Sequence, residues 1–128
     1  MKNKFKVLLS LIFFGLILIG CDRKEIKASE IVDVIQSNYL SIEINDKKLE
    51  AGSNKQYLID DFIPRLSKYT LKTYDGEFSK DYSYKVIITY KDNSEITLID
   101  NKYLMINDTK YEIIKGNINF DKFYNFIK

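Results

Sequence analysis

Histidine is absent from this 128-residue chain, and cysteine and proline each occur once. Without histidine the chain lacks the commonest general base and metal ligand. The single thiol, Cys21, allows no disulfide within the chain, so the fold must hold together by its core alone. No G-x-S-x-G elbow, phosphate-binding glycine loop or H-E-x-x-H pattern occurs. Arginine appears only at Arg23 and Arg65, and there is no clustered basic face of the kind that binds nucleic acid. An enzyme is not expected, no cofactor is implied, and nucleic acid is not an expected partner.

What the chain does have begins at its N-terminus. Lys2, Lys4 and Lys6 precede an apolar stretch from Val7 to Ile19, interrupted only by Ser10 and Gly15, and no acid occurs before Asp22. This is the charged, hydrophobic and cleavage-region order of a secretory signal. The stretch is shorter than the ~20 apolar residues that cross a bilayer, and Asp22, Arg23, Lys24 and Glu25 follow at once. A retained membrane-spanning helix fits it less well.

The tetrad Leu18-Ile19-Gly20-Cys21 that closes the stretch resembles the lipobox of bacterial lipoproteins. The resemblance implies that the Cys21 thiol receives a diacylglyceryl group. It also implies that a signal peptidase recognises Leu18, Ile19 and Gly20 and cuts before the cysteine. The mature protein would be lipid-anchored at the extracytoplasmic face of the cell membrane, because two acyl chains anchor stably where one is marginal. Residues 1–20 are then the signal peptide, 21–28 a polar tether, and 29–128 one domain. The leader removes three of the 20 basic residues, leaving 17 against 18 acidic ones. That balance argues against a domain drawn flat onto anionic lipid by charge. Abundant lysine, asparagine, isoleucine and tyrosine with so little arginine suits a low-GC Gram-positive source.

Periodicity then sketches the domain. The stretch 29–36 suits a helix face and a buried strand equally. Leu40, Ile42 and Ile44 alternate as in a strand, and Asn45-Asp46-Lys47 supplies turn chemistry. A helix is expected from Ser53 to about Lys68. Ser53 and Gln56 have the spacing of a capping box, and Leu58, Ile59, Phe62, Ile63 and Leu66 form its apolar stripe. Pro64 falls inside it and should kink or break it.

From Tyr69 the period becomes two. Strands are expected at 70–74, 82–90, 95–99, 103–106 and 110–114, separated by Asp/Asn turns as in an antiparallel meander. Phe120, Phe123, Tyr124 and Ile127 behind a capping Asn119 predict a short closing helix. The fold class is α+β: one or two helices on a four- to five-stranded antiparallel sheet, in two layers. The layout resembles small uncharacterised lipoprotein domains of Gram-positive bacteria, a likeness that carries no active residues.

Candidate chemistry is sparse. Ser67 with Lys68, and Ser79 with Lys80, are adjacent pairs whose side chains diverge. Asp60 and Asp61 point about 100° apart on a helix, which suits a solvated face better than a paired-carboxylate site. Asp92-Asn93-Ser94-Glu95 and Asp100-Asn101 offer oxygens without the spacing or glycine of a calcium loop, so no metal is expected. Tyrosine stands out, with ten residues. Tyr82, Tyr84 and Tyr90 should share a strand face that Tyr103 and Tyr111 extend, a candidate binding face. The competing reading is that these rings cover the sheet beneath the helices.

The first functional expectation is therefore a lipid-anchored binding module that engages a protein partner near the membrane. A small-ligand or cell-wall glycan binder is the second, and it requires a concave tyrosine-lined pocket. The third is a signalling peptide released from the leader, since Phe13 to Gly20 resembles short apolar pheromones.

Overall fold

Four left-handed turn residues order the sheet. Asn45, Asn93, Asp100 and Asn107 have φ of 52°, 72°, 51° and 53°, a conformation that Asn and Asp tolerate better than other side chains. In the computed structural model, which describes residues 24–32 and 38–127, each stands at a hairpin connection. Three of them also tie their hairpin to the next strand. The Asn45 N–H donates to the carbonyl of Lys85 at 3.0 Å, and the Lys85 N–H donates back to Asn45 Oδ1 at 2.9 Å. Asn107 makes the same pair of bonds with Glu95. Asp100 does so with Tyr84 and also accepts from the Ser83 N–H.

The strands are β1 (Ile26–Lys27), β2 (Tyr39–Ile44), β3 (Lys47–Glu50), β4 (Thr70–Thr73), β5 (Lys85–Tyr90), β6 (Glu95–Ile99), β7 (Tyr103–Ile106) and β8 (Thr109–Lys115). They form one sheet in the order β1-β4-β8-β7-β6-β5-β2-β3, antiparallel throughout. The meander β5 to β8 is its centre, and the earlier strands flank it on both sides.

The expected α+β class holds, but among the described residues the sheet has eight strands where four to five were expected. The two outermost account for part of the excess. β3 reads Lys47-Lys48-Leu49-Glu50, with one apolar residue, as suits a charged edge. β1 lies inside the stretch expected to be tether: Ile26 pairs with Leu71, and Ala28 is fully buried. Among the described residues Ile26, Lys27 and Ala28 are thus part of the packed fold.

Helix α1 (Gln56–Phe62) runs into a 3-10 segment, Ile63–Lys68, with Pro64 at its start. Proline has no N–H for the α-helical bond, which explains the change of winding. Helix α2 (Phe120–Phe126) is capped by Asn119, whose side chain accepts from the Lys122 N–H at 2.9 Å.

Both helices pack on one sheet face. Cross-strand neighbours Ile42–Ile88–Ile96 and Ile44–Val86–Leu98–Leu104 supply its buried floor. Leu58, Ile59, Phe62, Ile63, Leu66, Phe120 and Phe123 cover it from above. The Phe62 ring meets Phe123 at 4.5 Å and Phe120 at 6.1 Å.

Two further local expectations change. The register slips between Tyr39 and Ser41, so Leu40 turns outward at 44% exposure while Tyr39 is buried at 1%. Of the stretch 29–36, residues 29–30 complete a short 3-10 turn (Ala28–Glu30) and 31–32 form turns, while 33–36 lie outside the described residues.

Candidate functional site

The structure divides the five tyrosines read as one binding face. Tyr84, Tyr90 and Tyr111 lie on the helix side: Tyr90 is buried, and the other two pack against the core. Tyr103 pairs with Ile99 and Glu112 and lies on the opposite face. Tyr82, in the β4–β5 connection, is 42% exposed. The expected strand 82–90 begins only at Lys85, because the N–H groups of Ser83 and Tyr84 donate to the Asp100 carboxylate instead of to a neighbouring strand.

Tyr84 serves α2. Its hydroxyl donates to Asp121 at 2.5 Å, which pushes the phenol above its ordinary value. Its ring stands 6.0 Å from Phe120 and 5.7 Å from Tyr124.

The other candidates serve local structure. Asp61 pairs with Arg65 at 3.2 Å, while Asp60 accepts from the Tyr39 hydroxyl at 3.4 Å, so the two carboxylates diverge. Asp92 accepts from the backbone and hydroxyl of Ser94, and those bonds hold its carboxyl below the usual range. Ser67 Oγ donates to the Pro64 carbonyl, and Ser79 Oγ to that of Asp81. Among the described residues no group of three acids could hold a metal ion, and no helix is long and apolar enough to cross a membrane. Cys21, Leu18, Ile19 and Gly20 lie outside the described residues.

The feature that sequence reading missed is a groove between α1 and α2 of about 460 Å³. Its floor is Leu58, Phe62, Ile118 and Phe123, and Asp61, Arg65, Asn119 and Lys122 form the rim. Two large rings stand open beside it, Tyr57 at 65% and Phe126 at 52% exposure. Both lie off the apolar stripe of their helix, and that misplacement was the available signal: a ring on the polar face has no core to fill. The Lys122 ammonium sits 5.9 Å from the Phe126 ring. The groove thus combines apolar depth with a charged rim on which Lys122 stands beside the Phe126 ring and Asp61 is paired with Arg65.

Comparison with known family models, curated proteins and solved structures gives no match for this chain.

Proposed function

We propose that this chain is a bacterial lipoprotein whose α+β domain is a protein-binding module at the outer face of the cell membrane. Acylation of Cys21 supplies the anchor, and the groove between α1 and α2 receives the partner. The observation that carries the binding reading is the pair of open rings, Tyr57 and Phe126, beside an apolar groove. Large rings left in water without a core to fill are the usual anchors of a protein interface. The partner's chemistry follows from the groove: an apolar or aromatic side chain for its floor, and an acidic neighbour for Lys122.

The anchor reading implies a short tether: only residues 22–25 separate Cys21 from β1, which puts the Ile26 Cα within about 18 Å of the Cys21 Cα at full extension. Crosslinking in cells followed by mass spectrometry tests the whole reading, with Cys21→Ala as the unanchored control and Phe126→Ala as the groove control. One protein captured by the parent chain and lost from both variants supports it. Capture that survives Phe126→Ala removes the groove, and no captured protein at all moves the reading to a glycan or small ligand.

A further inference from the structure

The strand register gives the direction in which the chain enters the sheet. Ile26 pairs with Leu71 and Lys27 with Thr70, antiparallel. Extended backwards from Ile26, that antiparallel direction points toward the Thr73 end of β4 and Tyr74, although Lys24 and Glu25 themselves lie outside the ladder. Cys21 is three residues before Lys24, about 10 Å of chain at most.

At that corner the sheet face opposite the helices carries a second aromatic group. Tyr74 lies 4.9 Å from Tyr103 and 5.9 Å from Phe78, and Phe78 lies 4.8 Å from Tyr103. The Lys110 ammonium holds the connection in place by donating to the Gly76 carbonyl at 2.7 Å. Phe78, half-buried, and Tyr82, 42% exposed, belong to this connection, which neither α1 nor α2 covers among the described residues.

We infer that this aromatic face rests on the lipid surface, with Phe78 and Tyr82 at headgroup depth, so that the groove between the helices points away from the membrane. The inference rests on the lipoprotein reading and extends it from attachment to orientation. Charge is not the driving force: Asp75, Glu77 and Asp81 outnumber Lys80 in the connection. Tyrosine and phenylalanine prefer the membrane–water boundary for their apolar bodies, and tyrosine keeps its hydroxyl wet there. A contact too weak to hold a free domain suffices once a short tether fixes its local concentration.

The chain has no tryptophan, so a single introduced indole reports depth without background. The native acylated protein is purified as Phe78→Trp, Tyr82→Trp and Phe126→Trp variants, and each is placed in phosphatidylcholine vesicles with and without bromine on the upper acyl carbons. The expected result is a loss of about half the emission for Phe78→Trp or Tyr82→Trp, unchanged by salt, and almost none for Phe126→Trp. Tyr82→Trp keeps the test decisive if Phe78→Trp does not fold. Acylated protein with no quenching at Phe78 or Tyr82, or with quenching at Phe126, overturns the orientation and leaves the anchor standing. An intact mass showing unmodified Cys21 in membrane-expressed protein overturns the lipoprotein reading and the orientation together.

Discussion

Lys47 lies 4.0 Å over the ring of Tyr124 and donates a hydrogen bond to the Tyr124 carbonyl at 3.1 Å. The same ammonium reaches the Ile127 carbonyl at 2.9 Å. A β3 residue thereby satisfies two carbonyls at the end of α2, where the helix dipole favours a cation. Asp46, its neighbour in the turn, accepts from the Tyr124 hydroxyl at 2.7 Å. Replacing Lys47 by methionine keeps the stem and removes the charge. Lys47→Met should cost about 1–2 kcal/mol, read as a lower urea midpoint with an unchanged slope. A variant as stable as the parent would show that the Lys47 ammonium contributes nothing to holding the helix beyond Phe120, Phe123 and the Tyr84 and Tyr124 hydroxyl bonds.

Asp100 combines a left-handed backbone with two N–H groups on its carboxylate, from Ser83 at 3.2 Å and Tyr84 at 2.8 Å. Alanine would lose both bonds and sit poorly at positive φ, for about 2–3 kcal/mol in all. Asparagine keeps the conformation and one acceptor, so Asp100→Asn should lose roughly half as much. Equal losses in the two variants, compared by urea unfolding, would rule out the backbone contribution.

The same residues show what was legible beforehand. Asp and Asn between period-two segments marked the turns, and β6, β7 and α2 fall close to where the pattern put them, because local chemistry sets them. The edges were not legible. β3 has one apolar residue, and two-residue β1 is recognisable only by its partner β4. The groove was hidden for a different reason, since Tyr57 and Phe126 come together only when two sequence-distant helices pack on one sheet. The capping box at Ser53 misled outright. The helix starts at Gln56, and Gln56 Oε1 accepts from the Gly52 N–H at 2.7 Å rather than from that of Ser53. The chain leaves β3 through a turn in which the Ala51 N–H donates to the Leu40 carbonyl and the Ser53 N–H to that of Glu50, and spacing alone does not contain that.

Several phenols hold their protons in the fold more tightly than free tyrosine does. Tyr39 is pushed up to about 12 by burial and by Asp60. Tyr69 is raised by burial alone, and Tyr84 and Tyr124 by donating to Asp121 and Asp46. Each folded value lies above the ordinary 10.0. Their contribution is therefore complete below the unfolded value and is lost as pH rises through the folded ones. Asp46 and Asp92 are shifted the other way, chiefly by bonds from Tyr124 and Ser94. They stabilise above their ordinary 3.8 and cease to do so as pH falls through their folded values. Stability should thus be flat between the two limits and fall outside them. Melting temperature against pH, with absorbance titration of the phenols, checks this. Tyr84→Phe and Tyr124→Phe should flatten the alkaline fall, and an unchanged fall would remove these two phenols from its cause.

The buried hydroxyl of Tyr69 donates to Asn101 Oδ1 at 2.6 Å. That oxygen also accepts from the Ile118 N–H at 2.8 Å, and Asn101 Nδ2 donates to the Ile118 carbonyl at 3.0 Å. One amide in the β6–β7 turn thus fastens the start of β4 to the approach to α2. Gly116 brings the chain this close to Tyr69, for a Cβ there would stand 2.6 Å from Tyr69 Cδ1. Removing the two sides of the bond should have unequal effects. Tyr69→Phe takes away the donor and leaves Asn101 bonded to Ile118, a loss of about 1 kcal/mol. Asn101→Ala strands the buried hydroxyl and the Ile118 N–H, whereas the Ile118 carbonyl keeps its bond from the Phe120 N–H at 3.0 Å. It should cost about 2–3 kcal/mol. In the double variant the hydroxyl no longer needs a partner, so its loss should fall short of the two single losses added together. Urea unfolding of the four proteins measures the cycle. Strict additivity would mean that Asn101 acts through Ile118 alone, with the tyrosine hydroxyl contributing nothing to holding the turn.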